Sequence, residues 1–259
     1  MRYFVVSDCH SFYTELMTSL NNAGFEVKNP EHKLVICGDL FDRGNETRQI
    51  FDFVNKLPKE QLIYIRGNHE DLLMDCLKEI YDGYNPSRHH YHNKTVKTIF
   101  DFCGITNFDF WERRDETIEA IKKNITPLVD FINERCIDYF ETNNHIFVHG
   151  WIPCETQKNM PSYYRQHRTY KYDANWREAN VSDWKTARWI NGIDCAKAWN
   201  VIEPNKTIIC GHWHCSYGHY MYGDEKSEDN YTPFYSDGVI AIDACTALSG
   251  IVNCVIIDE

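Results

Sequence analysis

The chain has 259 residues, of which 43% are hydrophobic and 25% charged, so it can bury a full core and is not dominated by disorder. A formal net charge of -11, without a long run of Lys or Arg, argues against nucleic acid as a partner. No segment is apolar enough over the length of a bilayer, and the 11 Cys include no CxxC pair, so we expect a protein of the reducing cytoplasm without a membrane partner.

The first third of the chain predicts alternating strands and helices. Arg2–Val6, Leu34–Cys37 and Leu62–Ile65 are apolar runs of strand length, and each is followed by apolar residues at helical spacing. This order predicts a parallel sheet with right-handed crossovers. Side chains that could bind a metal ion directly follow each strand. The carboxyl ends of the strands are where an open α/β sheet binds small molecules and ions.

Residues 83–144 interrupt this alternation. The stretch is rich in aromatic residues, and Lys94–Phe102 and Asp115–Phe140 have the pattern of helices. We expect a helical cap inserted into a single domain that spans residues 1–259. The cluster His89-His90-Tyr91-His92 lies in this insert without a carboxylate or Cys at ligand spacing, so we expect solvated loop residues there.

The second half predicts a second sheet. Ile146–Val148 and Thr207–Cys210 are apolar runs of strand length, and Val239–Ile242 and Ile251–Ile257 have the pattern of a hairpin or of neighbouring strands in that sheet. We therefore expect two sheets packed face to face and flanked by helices. Three aromatic side chains of this half are expected to be core anchors and not a stacking platform, namely Trp184, Trp189 and Trp199.

Polar side chains gather at the predicted strand ends. Carboxylate, imidazole and amide groups there are the ligands of divalent ions such as Mn²⁺, Fe²⁺ and Zn²⁺. There are enough of them for two ions, and two ions that share a carboxylate can clamp an in-line displacement at phosphorus. The residues are Asp8, His10, Asp39, Asn68, His69, His149, His212 and His214.

Five sequence blocks carry a family resemblance. They are Asp8-x-His10, Gly38-Asp39-x-x-Asp42-Arg43-Gly44, Gly67-Asn68-His69-Glu70, Val148-His149-Gly150 and Gly211-His212. In this order they resemble the signature of the calcineurin-like metallophosphoesterases. The second and third blocks resemble in particular the PPP branch, which holds Ser/Thr protein phosphatases, their bacterial and phage relatives, and symmetrical diadenosine tetraphosphate hydrolases.

The resemblance implies a fold and a pair of cofactors. The fold is the α/β metallophosphoesterase fold, a four-layer α-β-β-α sandwich of two mixed sheets, here with a helical insert. The cofactors are two divalent metal ions, with Mn²⁺ expected first and Fe, Zn, Ni and Co as alternatives. The implied ligands are Asp8, His10 and Asp39 for the first ion, and Asp39, Asn68, His149 and His212 for the second.

The same resemblance implies catalytic and substrate-binding roles. Arg43 would bind phosphate oxygens bidentately, and Asn68 would also contact the substrate. His69 would protonate the leaving oxygen, with Asp42 orienting its ring. The stretch 163–177 would supply a second phosphate-binding residue, for which Trp176-Arg177 makes Arg177 the candidate.

Two blocks depart from the PPP pattern. The last block continues as Gly211-His212-Trp213-His214, a form found elsewhere in the superfamily, where the second His also binds metal. His214 is therefore a further ligand candidate, or a side chain that only hydrogen-bonds the ligands. Asp243 resembles the Asp of the family's Ile-Asp-Thr-Gly element and is expected beside the ligands.

The function implied first is a phosphoprotein Ser/Thr phosphatase, a phosphomonoesterase that uses a hydroxide bridging the two ions. In the alternative, the same reaction acts on a small phosphoester, and the protein is a dinucleoside polyphosphate or nucleotide hydrolase, or a phosphodiesterase. A scaffold that kept the fold without catalysis is a third hypothesis, which the complete set of ligands and acid residues disfavours.

Overall fold

The computed structural model describes residues 1–158, 168–224 and 226–259, and two five-stranded sheets form its centre. The strands of the first sheet are β1 (Arg2–Val6), β2 (His32–Cys37), β3 (Leu62–Ile65), β4 (Cys136–Ile137) and β12 (Val255–Asp258). They lie in the order β12-β1-β2-β3-β4. β1 to β3 are parallel as predicted, β4 is a further parallel strand beside β3, and β12 pairs antiparallel with β1.

The second sheet is also mixed. Its strands are β5 (Phe140–Glu141), β6 (His145–Phe147), β9 (Thr207–His214), β10 (Phe234–Ser236) and β11 (Val239–Asp243). The central strands β6, β9 and β11 are parallel, and the edge strands β5 and β10 are antiparallel to their neighbours. A separate antiparallel pair consists of β7 (Cys154–Lys158) and β8 (Arg168–Tyr172).

Helices flank both sheets. Those before β6 are α1 (Tyr13–Ala23), α2 (Thr47–Lys56), α3 (Asn68–Tyr81), α4 (Arg88–His92), α5 (Thr95–Cys103), α6 (Asn107–Glu112) and α7 (Arg114–Arg135). Those after it are α8 (Val181–Ala187), α9 (Gly192–Lys197), α10 (Cys215–Tyr222) and α11 (Thr246–Ser249).

Side-chain alternation in the strands builds three apolar layers. Phe4 and Val6 of β1 point to the layer shared with the first group of helices, whereas Val5 points to the layer between the sheets. Phe147 and Ile209 of the second sheet meet Val5 there, and a third layer packs the second sheet against its own helices. The predicted α/β fold, a four-layer α-β-β-α sandwich, is therefore confirmed.

The helices of the insert, residues 83–144, pack in the helical layer that covers the first sheet. Ile99 of α5 and Leu128 of α7 are buried in the same apolar cluster as β1 and β2, so these helices support the first sheet. The prediction of a helix over Asp115–Phe140 was wrong at its end, because the chain leaves α7 after Arg135 and pairs with β3 as β4. The single-domain organisation stays a prediction.

The two C-terminal strands lie in different sheets. β11 belongs to the second sheet, and β12 crosses to the edge of the first sheet, where Tyr3 is opposite Ile257. The prediction of a hairpin or of neighbouring strands was wrong, since apolar periodicity identifies strands without telling which sheet they join.

Several single-residue predictions have clear outcomes. All 11 Cys are free, and Cys9 is buried in the apolar layer that the first sheet shares with its helices. His90 lies on α4 and is fully buried, so the prediction of solvated loop residues was wrong for it. Trp184 is buried, but Trp189 is 48% exposed and is not a core anchor. Within the described ranges, no helix is both long and apolar enough to cross a membrane.

Candidate metal and phosphate site

The ligand candidates of both sheets converge where the parallel strands end. Asp8, Asp39 and Asn68 follow β1, β2 and β3, while β6 and β9 bring His149 and His212. Backbone strain is concentrated here, and strain of this kind clusters at functional sites. The non-Gly site residues with positive φ are Asp8, His10, Asp39, Asp42, Arg43 and His212.

The two carboxylate oxygens of Asp39 face different side chains. Oδ2 lies 3.9 Å from both His10 Nε2 and His69 Nε2, whereas Oδ1 lies 3.4 Å from His149 Nε2. In the described part of the chain, potential metal donors form two groups that share Asp39. One group is His10, Asp39 and His69, and the other is Asp39, His149 and His212. The position of Asp39 therefore suits a ligand that bridges two ions.

The tautomer of His149 tests whether a cation fits the second group. Its Nδ1 donates to the carbonyl of Cys37 at 2.8 Å, so a neutral ring has only a lone pair at Nε2. That lone pair faces two oxygen acceptors, Asn68 Oδ1 at 2.7 Å and Asp39 Oδ1 at 3.4 Å. Three acceptors without a shared proton repel one another, and a divalent cation between them would remove the repulsion.

His10 has the same arrangement in the first group. Its Nδ1 donates to the carbonyl of Phe41 at 2.9 Å, and its Nε2 faces Asp39 Oδ2 and, at 4.0 Å, Asp8 Oδ1. A carbonyl that fixes the tautomer in this way is typical of a ligating His. Asp8, His10 and Asp39 on one side, and Asp39, Asn68 and His149 on the other, therefore offer donors that fit divalent cations.

Burial sets the charge of these groups. It lowers the pKa of His10 and His212 well below the usual value, and neighbouring imidazoles add to the effect, so both rings are neutral at pH 7 with lone pairs to offer. Burial raises the pKa of Asp39 to about 6, against the attraction of His149 and His69. It also raises the pKa of Asp243, with Asp8 adding to the shift. Bound cations would offset this crowding of buried carboxyl groups.

Asp8 is held in place by its neighbours in both sheets. Its Oδ2 accepts hydrogen bonds from Ser7 Oγ and, at 2.9 Å, from the backbone N–H of His212. Gly211 permits this close approach, because a Cβ there would lie 2.2 Å from Asp8 Oδ2. Because Gly211 has no side chain, Asp8 of the first sheet can lie next to His212 of the second sheet.

His69 and Asp42 form a buried pair next to the metal donors. His69 Nδ1 donates to Asp42 Oδ2 at 2.7 Å, while His69 Nε2 lies 3.5 Å from Nη2 of the exposed Arg43. Burial lowers the pKa of His69, but the carboxylates of Asp39 and Asp42 outweigh burial and raise this pKa to about 9. A protonated imidazole beside a guanidinium suits proton donation to a leaving oxygen.

Thr95 supports this pair and was missed by sequence reasoning. Its hydroxyl, at the start of α5, donates to Asp42 Oδ2 at 2.7 Å. The second oxygen of Asp42, Oδ1, is buried and has no hydrogen-bond partner among the residues that the structure describes. No sequence signal links a Thr of the insert to Asp42, which precedes it by 53 residues.

Glu70 fixes the loop that carries Asp39. Its carboxylate accepts hydrogen bonds from the backbone N–H groups of Asp39 and Leu40, both at 3.0 Å, and of Gly67 at 2.8 Å. Sequence analysis did not identify this role of Glu70. A Glu three residues after a helix N-cap, which can accept a hydrogen bond from the N-cap backbone N–H as Glu70 does from Gly67, is the signal that could have found it.

The structure corrects the prediction for Arg177. Its guanidinium is bound by Glu141 and Glu203, with Nε 2.9 Å from Glu141 Oε2, and it stacks on Trp176. Lys206, just before β9, also pairs with Glu141, so this cluster lies at the opposite end of β9 from His212. The part of the stretch 163–177 that precedes 168 lies outside the described residues.

His214 lies at the edge of the site. Its side chain is 44% exposed, and Nε2 is 3.8 Å from Asp243 Oδ2. The two donor groups do not include it within the part of the chain that the structure describes. A separation of 3.8 Å is too long for a hydrogen bond. The role of His214 as a metal ligand, or as a side chain that hydrogen-bonds the ligands, stays a prediction.

A family model and a set of curated proteins match the chain. The model described as calcineurin-like phosphoesterase matches residues 1–216. The asymmetrical bis(5'-nucleosyl)-tetraphosphatase PrpE of Bacillus velezensis is 36% identical over 85 residues, which are 30% of this chain and 34% of that protein. The protein of the same name from Bacillus subtilis is 35% identical over 85 residues, 30% of this chain and 35% of that protein. The matched part thus spans about a third of these relatives.

Solved structures give more distant matches. A cold-active protein-tyrosine phosphatase of a psychrophilic Shewanella species matches with a TM-score of 0.48 and 12% identity, covering 100% of this chain and 75% of that one. A putative diadenosine tetraphosphatase matches with a TM-score of 0.46 and 14% identity, covering 98% of this chain and 92% of that one.

Proposed function

Because this chain belongs to the calcineurin-like phosphoesterase family, we propose that it hydrolyses dinucleoside polyphosphates, with diadenosine tetraphosphate as the reference substrate. Sequence analysis gave this as the alternative to a phosphoprotein Ser/Thr phosphatase. The curated relatives, which carry the name bis(5'-nucleosyl)-tetraphosphatase, support the alternative over that first choice.

One observation carries the hydrolytic part of the proposal. Asp39 is shared by two groups of metal donors, and the His69–Asp42 pair and Arg43 lie directly beside it. Two divalent ions bound there would activate water and neutralise charge on the phosphoryl oxygens. The proposed ligands are those of the sequence analysis, Asp8, His10, Asp39, Asn68, His149 and His212.

The chain's own residues then divide the remaining work. Arg43, an exposed guanidinium 3.5 Å from His69 Nε2, would hold non-bridging phosphate oxygens with its planar pair of donors. His69 would protonate the departing oxygen, and Asp42 would keep the proton-bearing ring in place through Nδ1. Asn68, in contact with His149, would face the same phosphate.

The test is a substrate panel with Mn²⁺ added to the purified protein. We expect diadenosine tetraphosphate to be hydrolysed with a higher kcat/KM than a phosphoserine peptide or a phosphodiester. Asymmetrical cleavage would release a nucleoside triphosphate and a monophosphate, whereas symmetrical cleavage would release two diphosphates. A higher kcat/KM for the phosphopeptide would overturn the substrate class and restore the phosphoprotein reading.

Loss of activity in variants tests the site separately from the substrate. Asp39→Asn is expected to reduce hydrolysis of every substrate in the panel by at least about a hundredfold. His69→Ala should cause a similar loss on the phosphoserine peptide, whose alkoxide leaving group needs a proton. Full activity of both variants, in folded protein, would rule out this site as the catalytic centre.

A further inference from the structure

A large aromatic side chain lies exposed against the metal donors. Trp189 is 48% exposed, and its ring is perpendicular to that of His212, with 5.7 Å between the centroids. Trp189 therefore lies beside the site, and the part of its ring that is not against His212 remains accessible to a ligand.

A cavity opens on the accessible side of Trp189. Its volume is about 350 Å³, at the lower end of the range of about 300–1,000 Å³ for small-molecule sites. It runs between the exposed face of α8 and β8. The lining residues are Tyr170, Ser182, Lys185, Thr186, Trp189 and Ile190.

The lining favours a flat heterocycle over a charged group. Trp189, Tyr170 and Ile190 offer two aromatic rings and an aliphatic side chain, and Ser182 adds a hydroxyl. The cation at the rim, Lys185, is paired with Asp75 at 2.9 Å and so is partly neutralised. Aromatic rings of this kind bind nucleobases by stacking, with little dependence on base identity.

We propose that Trp189 and the cavity behind it form a nucleobase subsite, which binds one base of a nucleotide whose phosphate lies between Arg43 and the Asp39 groups. The inference rests on the proposed function for its substrate, but it concerns binding alone. Trp189 contacts His212 directly, so the proposed base subsite adjoins one of the proposed metal ligands. The subsite would raise affinity for nucleotides over phosphates that lack a base.

The test compares adenosine monophosphate with inorganic phosphate by calorimetric titration of the Mn²⁺-loaded protein. We expect the wild type to bind the nucleotide about tenfold more tightly than phosphate. Trp189→Ala should remove this preference and leave the affinity for phosphate unchanged, while Trp189→Phe should keep most of it. Trp111→Ala, which removes a similarly exposed Trp (53%) on α6, is the matched control and should behave as the wild type.

The outcomes separate this inference from the proposed function. If Trp189→Ala binds the nucleotide as tightly as the wild type, or if the wild type shows no preference over phosphate, the subsite is wrong even when diadenosine tetraphosphate is hydrolysed. If the preference depends on Trp189 but diadenosine tetraphosphate is not hydrolysed, the subsite stands and the substrate assignment fails. Equal losses of nucleotide and phosphate binding would show general damage to the site and would also overturn the subsite.

Discussion

His69 and Asp42 are joined by a 2.7 Å hydrogen bond between Nδ1 and Oδ2, and both side chains are almost completely buried. This bond directs the other ring nitrogen of His69 toward Asp39 and Arg43. A buried carboxylate that fixes an imidazole in this way orients it and favours its charged form. The pair therefore suits the proposed role of His69 as a general acid next to the metal donors.

Replacement of His69 by Ala should lower kcat by about 10²–10⁴-fold on substrates with a poor leaving group, because such an oxygen needs a proton as it departs. On an aryl phosphate, whose leaving group is stable as an anion, the loss should be much smaller. Steady-state kinetics on a phosphoserine peptide and on p-nitrophenyl phosphate measure the difference. Equal losses on both substrates would mean that His69 acts on binding or folding and not as the acid.

Thr95→Val should lower kcat without a comparable change in KM. The Thr95 hydroxyl donates to the same Asp42 oxygen as His69, and a hydrogen bond to a charged group contributes about 1.5–3 kcal/mol, so we expect a loss of roughly tenfold or more. Thr98→Val, one turn further along α5 and equally buried, is the control. If the two variants have the same kcat, Thr95 does not position Asp42.

Gly211→Ala should abolish activity through sterics alone. The added Cβ would lie 1.8 Å from Ser7 Oγ and 2.2 Å from Asp8 Oδ2, so the Asp8 carboxylate must move. Gly104→Ala is the contrasting variant, because Gly104 has a φ of +69° with open space around it. That change should cost about 1–2 kcal/mol of stability and leave kcat unchanged. Near-normal activity of folded Gly211→Ala would contradict the close approach of Gly211 to Asp8.

Arg43→Ala should lower catalytic efficiency, whereas Arg177→Ala should lower stability. Arg43 lies beside His69, so its loss should lower kcat/KM by about a hundredfold with little change in stability. Arg177 is bound by Glu141 and Glu203, so its loss should lower the free energy of unfolding by about 2 kcal/mol with little change in kcat/KM. Kinetics and urea unfolding of both variants provide the test, and a large drop in kcat/KM for Arg177→Ala would restore its predicted role.

The Arg177 pair also has a defined pH dependence. Hydrogen bonding by Arg177, reinforced by Lys206, lowers the pKa of Glu141 from 4.5 to about 2. Since the folded-state pKa is depressed, the pair stabilises the protein fully above about pH 4.5 and loses this effect as the pH falls toward 2. The difference in unfolding free energy between wild type and Glu141→Gln should therefore shrink below pH 4.5.

The sequence identified the candidate metal ligands better than it identified the residues that hold them in place. Apolar runs followed at once by Asp8, Asp39 and Asn68 locate the strand ends, and parallel strands bring their ends to one edge. Thr95 could not be predicted, because its contact with Asp42 depends on how the insert packs. The crossing of β12 to the first sheet was equally hidden, since its alternation fits either sheet.

For two side chains, the residue type or a short motif led to a wrong prediction of their surroundings. Trp189 was expected in the core because large aromatic residues are usually well buried, yet its place in the turn between α8 and α9 leaves it 48% exposed beside His212. Arg177 was assigned to phosphate on a short match, and two carboxylates that are distant in sequence bind it instead. The position in a turn decided the first case, and pairing with residues distant in sequence decided the second.

The central claim is that Asp39 joins two metal positions. The most direct test compares metal binding by the wild type and by Asp39→Asn. After removal of metals with a chelator, isothermal titration with Mn²⁺ should show two ions per wild-type chain, together with recovery of activity. Asp39→Asn should lose affinity at both positions, because its side chain belongs to both donor groups. Unchanged binding of two ions by Asp39→Asn, or loss of only one of them, would contradict the shared role of Asp39.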